Sequence, residues 1–370
     1  MTRRILVRGP VNTLTGYGQD VVGLLRALLE AGVDVDLWPL DVVPPIPEPV
    51  AALLTRPLKP PYDVLLWYGT PSQITPWELP GWGEKVLGWT MWESTPLHGT
   101  DLSWWDPEHP ELAGGRVWSR RSRSMGDVPK AWLDRLLVTC PMNIDAFAAV
   151  DPHLPIDVLT PGLRLKDWPE LDRPRDPGAP VVFGCEGVLS GRKDPGTLFE
   201  AWDLFRAAHP DVSARLELHV SGNPREALAR AAARPAGDVT VHVESWSHQQ
   251  MLEWYQGIDC WVSTSRGEGV NKPAVQALAT GIPVIAAAWG GHETWMHQDH
   301  SWAVDYTPVD TDDGKATQVL VDAGSVAEAM GKAATDPEVR RRKGRAGAAF
   351  VASSFGWDRQ VAELLRLAAR

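Results

Sequence analysis

The order of elements at the start of the chain leaves few folds open. Ile5 to Arg8 is a short apolar run that stops at Gly9, and a small, polar stretch follows, Asn12-Thr13-Leu14-Thr15-Gly16-Tyr17-Gly18. Val21, Leu24, Leu25 and Leu28 then recur at helical spacing as far as Gly32, and Val33 to Leu37 reads as the next strand. Strand, glycine loop, helix, strand is the opening unit of a doubly wound α/β domain. The pattern predicts further strands at 64–67, 85–89 and 135–139.

A second alternating run begins near Pro180. It predicts strands at 181–184, 215–220, 239–243, 260–263 and 283–287, with helices at 197–208, 249–256 and 274–279. Between the two runs, residues 167–178 are rich in proline and charge and poor in apolar side chains, as an interdomain linker is. The expected organisation is an N-terminal Rossmann-like domain over 1–165, a linker over 166–179 and a second Rossmann-like domain over 180–345. A helix over 346–370 is expected to pack back towards the first domain, with a cleft between the two domains.

Composition narrows the function classes. The chain has 370 residues, 44% of them hydrophobic and 22% charged, which is globular usage, and a formal net charge of −11. That balance argues against a generic nucleic-acid binder. Cys140, Cys185 and Cys260 are far apart and fit neither a zinc spacing nor a disulfide framework, so buried thiols in a reducing compartment are expected. The apolar run after Met1 is too short for a signal peptide or a membrane span. The expectation is a cytoplasmic protein.

The most informative stretch runs from Ser265 to Ala286. A strand ends in Arg266-Gly267-Glu268-Gly269-Val270-Asn271, which opens a helix through Gln276 to Gly281-Ile282-Pro283. Backbone N–H groups at a helix start bind anionic or hydroxyl oxygens, and glycines at 267 and 269 allow a ligand close to the backbone. Gln276 lies eight residues beyond Glu268, and two helical turns would put both on one side of a cleft.

This stretch resembles the donor-site signature of the retaining family 4 glycosyltransferases, which have the GT-B fold: Glu, seven residues, Glu, then Ala-x-Ala-x-Gly-x-Pro-Val-Ile. The resemblance implies that Glu268 binds hydroxyls of the donor sugar near the reacting centre. Backbone groups of Gly269, Val270 and Asn271 would contact the donor. The family's second glutamate holds the nucleotide ribose. Here it is Gln276, whose amide donates and accepts hydrogen bonds but carries no charge.

Gly187-Val188-Leu189-Ser190-Gly191-Arg192-Lys193 is similar to the family's strand-loop-lysine segment, in which a lysine and an arginine neutralise the donor diphosphate. Lys193 matches the lysine. Val188 occupies the arginine position, so Arg192 is the second candidate cation. Thr15-Gly16-Tyr17-Gly18 resembles the family's N-terminal glycine loop, which implicates Gly16 and Gly18 in substrate contact. Ser245, within Val243-Glu244-Ser245-Trp246, falls where the family's nucleotide base lies.

In the first domain Glu93 stands where many members carry a histidine near the sugar, a candidate for acceptor contact or general-base work alongside Glu268. The implied mechanism retains anomeric configuration and uses no metal and no cofactor beyond the nucleotide-sugar donor. Asp310-Thr311-Asp312 lies in a late polar loop and is not read as a metal motif.

The acceptor is not named by any motif. Trp67, Trp77, Trp82, Trp89, Trp92, Trp104, Trp105, Trp118 and Trp132 crowd the N-terminal half, and Arg116, Arg120, Arg121 and Arg123 form a basic stretch beside them. Together they would suit a phosphate-bearing acceptor, such as modified DNA or an anionic glycan. Core tryptophans and a solvated arginine loop are the other reading. The departures at Gln276 and Val188 leave one alternative, a catalytically silent GT-B protein that binds a nucleotide sugar or a partner.

Overall fold

The computed structural model describes residues 3–13, 15–75, 79–95, 133–150, 152–173, 178–189, 191–311 and 316–370. The chain divides into two compact units, one built from Met1–Arg164 with Phe355–Arg370, the other from Leu165–Thr311 with Thr317–Ser354. The basic stretch at Arg116, Arg120, Arg121 and Arg123 lies outside the described residues, as do Trp77, Trp104, Trp105, Trp118 and Trp132.

In the N-terminal unit β1 (Arg4–Asn12) leads through α1 (Gly16–Glu30) to β2 (Asp34–Val43). Then come α2 (Val50–Leu53), β3 (Tyr62–Tyr68), β4 (Gly83–Thr90), β5 (Arg135–Val138), α3 (Met142–Val150) and β6 (Ile156–Val158). The six strands pair in the order β2-β1-β3-β4-β5-β6, all parallel, with Ile5 opposite Val64 and Val35. Ile5, Val7 and Leu66 face α1, while Leu6, Leu65 and Trp67 face the opposite layer, because alternate strand residues point to opposite sides. A parallel sheet covered on both faces needs apolar residues on both, which is why the inner strands β1 and β3 are mostly apolar, whereas the edge strand β2 carries Asp34, Asp36 and Asp41.

The C-terminal unit repeats the scheme. It contains β7 (Val181–Gly187), α4 (Pro195–Ala208), β8 (Ala214–Val220), α5 (Arg225–Ala232), β9 (Val239–His242), α6 (His248–Gly257), β10 (Cys260–Val262), α7 (Lys272–Ala279), β11 (Val284–Ala287) and β12 (Ser301–Val304). Its strand order, β12-β11-β10-β7-β8-β9, is the doubly wound Rossmann order. An antiparallel hairpin, β13 (Tyr306–Asp310) with β14 (Thr317–Val321), precedes α8 (Ala323–Thr335) and α9 (Pro337–Ser354). In this order the chain reverses direction between β7 and β10, and the loops at their carboxyl ends flank the crevice where such sheets bind ligands.

The single helix expected over 346–370 is two helices, α9 and α10 (Trp357–Ala369), separated at Phe355-Gly356. The second belongs to the N-terminal unit, where Trp357, Val361, Leu364 and Leu367 join the core beside α1. Trp357 seats against two glycines: a Cβ at Gly23 would meet its ring nitrogen at 2.4 Å, and one at Gly162 its ring carbon at 2.6 Å. The Trp357 ring also meets Trp89 edge-on, with centroids 6.4 Å apart.

Trp67 and Trp89 are fully buried, and Trp82 and Trp92 pack half-buried against the second N-terminal layer, so these four serve the core rather than an open acceptor surface. All three cysteines are buried free thiols, and burial pushes Cys185 up to about 12. No described helix is long and apolar enough to cross a membrane.

Because Trp357 fills a space shaped by two glycines, Trp357→Ala should cost the N-terminal unit about 3 to 5 kcal/mol. Urea denaturation checks this. A loss below about 1 kcal/mol would mean that the last helix docks without help from this ring.

Candidate active site

The site forms at the strand ends where the second sheet reverses. After β7 the chain makes a short 3-10 turn, Gly191–Lys193, and then Asp194 caps α4, accepting from Thr197 N at 3.2 Å and from Thr197 Oγ1 at 2.9 Å. After β10 come Ser263 to Asn271, and α7 starts at Lys272. The two loops are stitched together. Arg266 N donates to Arg192 O at 2.7 Å, Thr264 Oγ1 donates to Asp194 O at 2.9 Å, and Arg192 Nη1 donates to Gly267 O at 2.7 Å.

This stitching carries Arg192 and Lys193 onto Glu268. Arg192 Nη1 lies 2.9 Å from Glu268 Oε2, and Lys193 Nζ donates to Glu268 Oε1. The Glu268 side chain is only 5% exposed, against 30% for Arg192 and 17% for Lys193. Burial pushes its carboxyl upward, but Lys193 and Arg192 outweigh that and hold it at about 2. Glu268 is therefore a buried carboxylate, ionised, and held by two cations that remain partly open to solvent.

Asp194 and Asn271 are the non-glycine residues with left-handed backbone among those described, at φ 43° and 64°. They flank this site, where such strain is commonly stored. The loop from 268 to 271 is fastened by the turn that follows β11: Gly291 N donates to Glu268 O at 2.7 Å, and Trp295 Nε1 donates to Val270 O at 2.6 Å. A Cβ at Gly291 would sit 2.3 Å from Gly269 C, so glycine is required there by the close approach of two backbones. The close approach expected at Gly267 and Gly269 from a ligand is thus made, at Gly269, by the protein itself.

Gln276 is half-buried on α7, and its side chain makes no hydrogen bond to a described residue. Gln276 and Glu268 do not share a helix, contrary to the expectation that eight residues of spacing put both on one side of a cleft. Glu268 lies four residues before α7 begins, and the chain between them passes through the left-handed Asn271, so the pair are not two turns apart on one helix. Ser245 is exposed in the loop after β9, where Trp246 stacks on His219 with centroids 4.2 Å apart and planes at 6°.

The remaining expected residues belong to the N-terminal unit. Gly16 and Gly18 lie in the first turn of α1 rather than in a loop before it. Asn12 Oδ1 accepts from Thr15 N at 2.9 Å, and Thr15 Oγ1 in turn accepts from Gly18 N at 3.1 Å, so a relay of polar side chains shapes this helix start. Glu93 is half-buried just after β4, and its charge bears on Tyr17, whose hydroxyl donates to Met91 O at 3.4 Å. Asn143 holds the same segment by pairing both ways with the Trp92 backbone, at 3.1 and 2.8 Å.

Sequence reasoning missed Asn12, Gly291, His292 and Trp295. The signal for the last three was a Gly290-Gly291 pair two residues past a strand, which reads in sequence as an ordinary turn.

The depressed pKa of Glu268 makes stability depend on pH with a defined sign. Its ion pairs contribute fully above the usual carboxylate range and are lost as pH falls through about 2. A Glu268→Gln variant should therefore be less stable than the parent at pH ~6, by on the order of 3 kcal/mol. The gap should shrink as pH drops from ~4.5 towards 2. Denaturant unfolding of both proteins across this range reads it, and a gap independent of pH would disprove the pairing.

Residues 181–335 match the family model described as "Glycosyl transferases group 1". A D-inositol 3-phosphate glycosyltransferase from Stackebrandtia nassauensis is 29% identical over 255 residues, covering 67% of this chain and 51% of that protein. The chain thus spans about half the length of that relative. Among solved structures, sucrose-phosphate synthase from Thermosynechococcus elongatus superposes with a TM-score of 0.66 at 18% identity, over 99% of this chain and 98% of the other. Anabaena HepE, in complex with UDP and glucose, gives 0.62 at 12% identity over 98% and 99%. Two parallel six-stranded sheets of this kind are the GT-B fold. The cations and the carboxylate described above all lie within residues 181–335, the segment that matches the group 1 family model.

Proposed function

We propose that this protein is a retaining, metal-independent glycosyltransferase that moves a sugar, of hexose type, from a nucleoside-diphosphate donor to an acceptor. The observation that carries this reading is the meeting of Lys193, Arg192 and Glu268 at the reversal point of a group 1 domain. A glycosyl donor leaves behind a diphosphate, and charge builds on its oxygens as the bond breaks. Preorganised cations aimed at that position lower the barrier, and two protein cations supply what a bound metal would otherwise provide. No cofactor beyond the donor is needed.

In this reading Lys193 and Arg192 bind the diphosphate, and Glu268 contacts the sugar hydroxyls next to the reacting carbon. The start of α7, from Gly269 to Asn271, takes donor oxygens, and Gln276 takes the ribose. The loop at Ser245 takes the base. In the other unit Gly16, Gly18 and Glu93 serve the acceptor side, with Glu93 as the candidate base. The name of the Stackebrandtia relative makes a phosphorylated polyol the first acceptor class to test. Arg116, Arg120, Arg121 and Arg123 are the proposed contacts for such a phosphate, whether it belongs to a small molecule, an anionic glycan or DNA.

A thermal-shift panel of UDP-, GDP- and ADP-sugars in EDTA should reveal one donor that raises the melting temperature, followed by slow release of its diphosphate in the presence of water alone. Lys193→Ala and Glu268→Gln should each lower turnover by about 10²-fold or more. Product anomers assigned by NMR test retention. Stabilisation without any release from any donor or acceptor would support the binding-only alternative, and stabilisation by none of the donors would overturn the proposal.

A further inference from the structure

Directly behind the Glu268 loop, a chain of three buried polar side chains bridges the ends of two neighbouring strands. His292 Nδ1 lies 2.8 Å from Ala287 O at the end of β11. His292 Nε2 lies 2.9 Å from Asn271 Nδ2, and Asn271 Nδ2 also donates to Ser263 Oγ, at 3.0 Å, just past β10. His292 is 2% exposed, and Asn271 and Ser263 are 6% each. A carbonyl can only accept, so Nδ1 carries the hydrogen. An amide nitrogen can only donate, so Nε2 offers its lone pair. Both hydrogens of the Asn271 amide are then used, and the imidazole is the neutral Nδ1–H form.

Asn271 is also the residue at φ 64°, the last before α7. Its side chain makes no capping bond to that helix, so its amide is committed wholly to the bridge. With Gly291 on Glu268 O and Trp295 on Val270 O, three attachments reach residues 268, 270 and 271 of one short loop, and two come from backbone or ring donors that do not titrate. The third depends on a histidine.

Resting on the donor-site reading above, we propose that Asn271 and His292 are a positioning pair, and that donor binding requires the neutral imidazole. If Nε2 gains a proton, N–H faces N–H, and Asn271 loses its acceptor. The left-handed conformation at 271 then loses one of the bonds that offset its strain, and the loop that presents Glu268 and the start of α7 loosens. The groups that face His292 set the direction. Burial holds the imidazole below its usual range. Glu268 on the adjoining loop and the Ala287 carbonyl oppose this, while Lys193 and Arg192, from the turn after β7, reinforce it. The neutral form therefore persists at neutral pH and is lost only on acidification.

The test uses the full chain and whichever of UDP-glucose, GDP-mannose and ADP-glucose binds it. These diphosphate diesters have no proton to gain between about pH 5 and 8, where histidine titrates. Calorimetric affinities across this range should show wild-type binding level at the alkaline end and falling towards pH 5, by less than an imidazole of ordinary pKa would give. His292→Gln, which cannot gain a charge, should bind more weakly at pH ~7.5 but lose the acid limb. Asn271→Gly keeps the backbone conformation and removes the amide. It should bind about tenfold more weakly at pH ~7.5, as loss of a buried hydrogen bond predicts.

Nitrogen-15 NMR of the wild type should show His292 as the Nδ1–H tautomer at neutral pH, a readout independent of either variant. A wild type that binds while His292→Gln follows the same pH curve, or an Nε2–H or doubly protonated His292, would overturn the positioning pair alone. A wild type that binds none of the three probes would overturn the donor-site reading and this one with it.

Discussion

A carboxylate kept charged in a protein interior must be compensated, and Glu268 organises its surroundings on that condition. Burial by itself would neutralise it, and the free energy of an isolated buried charge far exceeds what a domain has to spare. The compensation comes from Lys193 and Arg192, 75 residues or more away in sequence. The loops after β7 and β10 must therefore meet, and the doubly wound strand order places their carboxyl ends side by side at the point where the chain reverses direction. The cross-loop hydrogen bonds of Arg266, Thr264 and Arg192 fix this meeting with main-chain precision.

Both units shape the first helix turn after a strand by the same physical means, a short polar side chain that uses up backbone or side-chain partners locally. In the N-terminal unit Asn12 receives Thr15, and Thr15 caps α1. In the C-terminal unit Asp194 caps α4 from a left-handed backbone, while Asn271 is held by Ser263 and His292. Asparagine and aspartate suit these places because they tolerate the left-handed region and carry hydrogen-bonding groups close to the chain. In the C-terminal unit the loop before α7 is thereby supported from behind by buried groups, Ser263 and His292.

Some of this was legible and some was not. Five strands of each sheet stand where the sequence marks them, since the inner strands of a parallel sheet are buried on both faces, while β6 and β12, each at the edge of its sheet, went unread. The glycine-rich loop with Glu268 was legible because its residue types are unusual together. By contrast, the eight-residue spacing to Gln276 was misread. Helical periodicity in sequence does not reveal that the helix begins only after a left-handed residue at 271. Trp67 and Trp89 were open to two readings, surface or core, and their complete burial follows from strand neighbours that periodicity alone does not assign. The hairpin of β13 and β14 and the break at Phe355-Gly356 also went unread, as neither carries a distinctive run.

By itself the sequence determined the alternation of strands and helices, the presence of two such runs, and the residue types of the Glu268 loop, because each is a local pattern of burial and backbone freedom. Tertiary structure alone decided which cations face Glu268, that Gly291 must be a glycine, that His292 stands behind Asn271, and that the C-terminal helix breaks at Phe355-Gly356. These are contacts between segments remote in the chain. They depend on which strand ends lie next to one another, and that is fixed by the pairing order of the sheet rather than by any neighbouring residue.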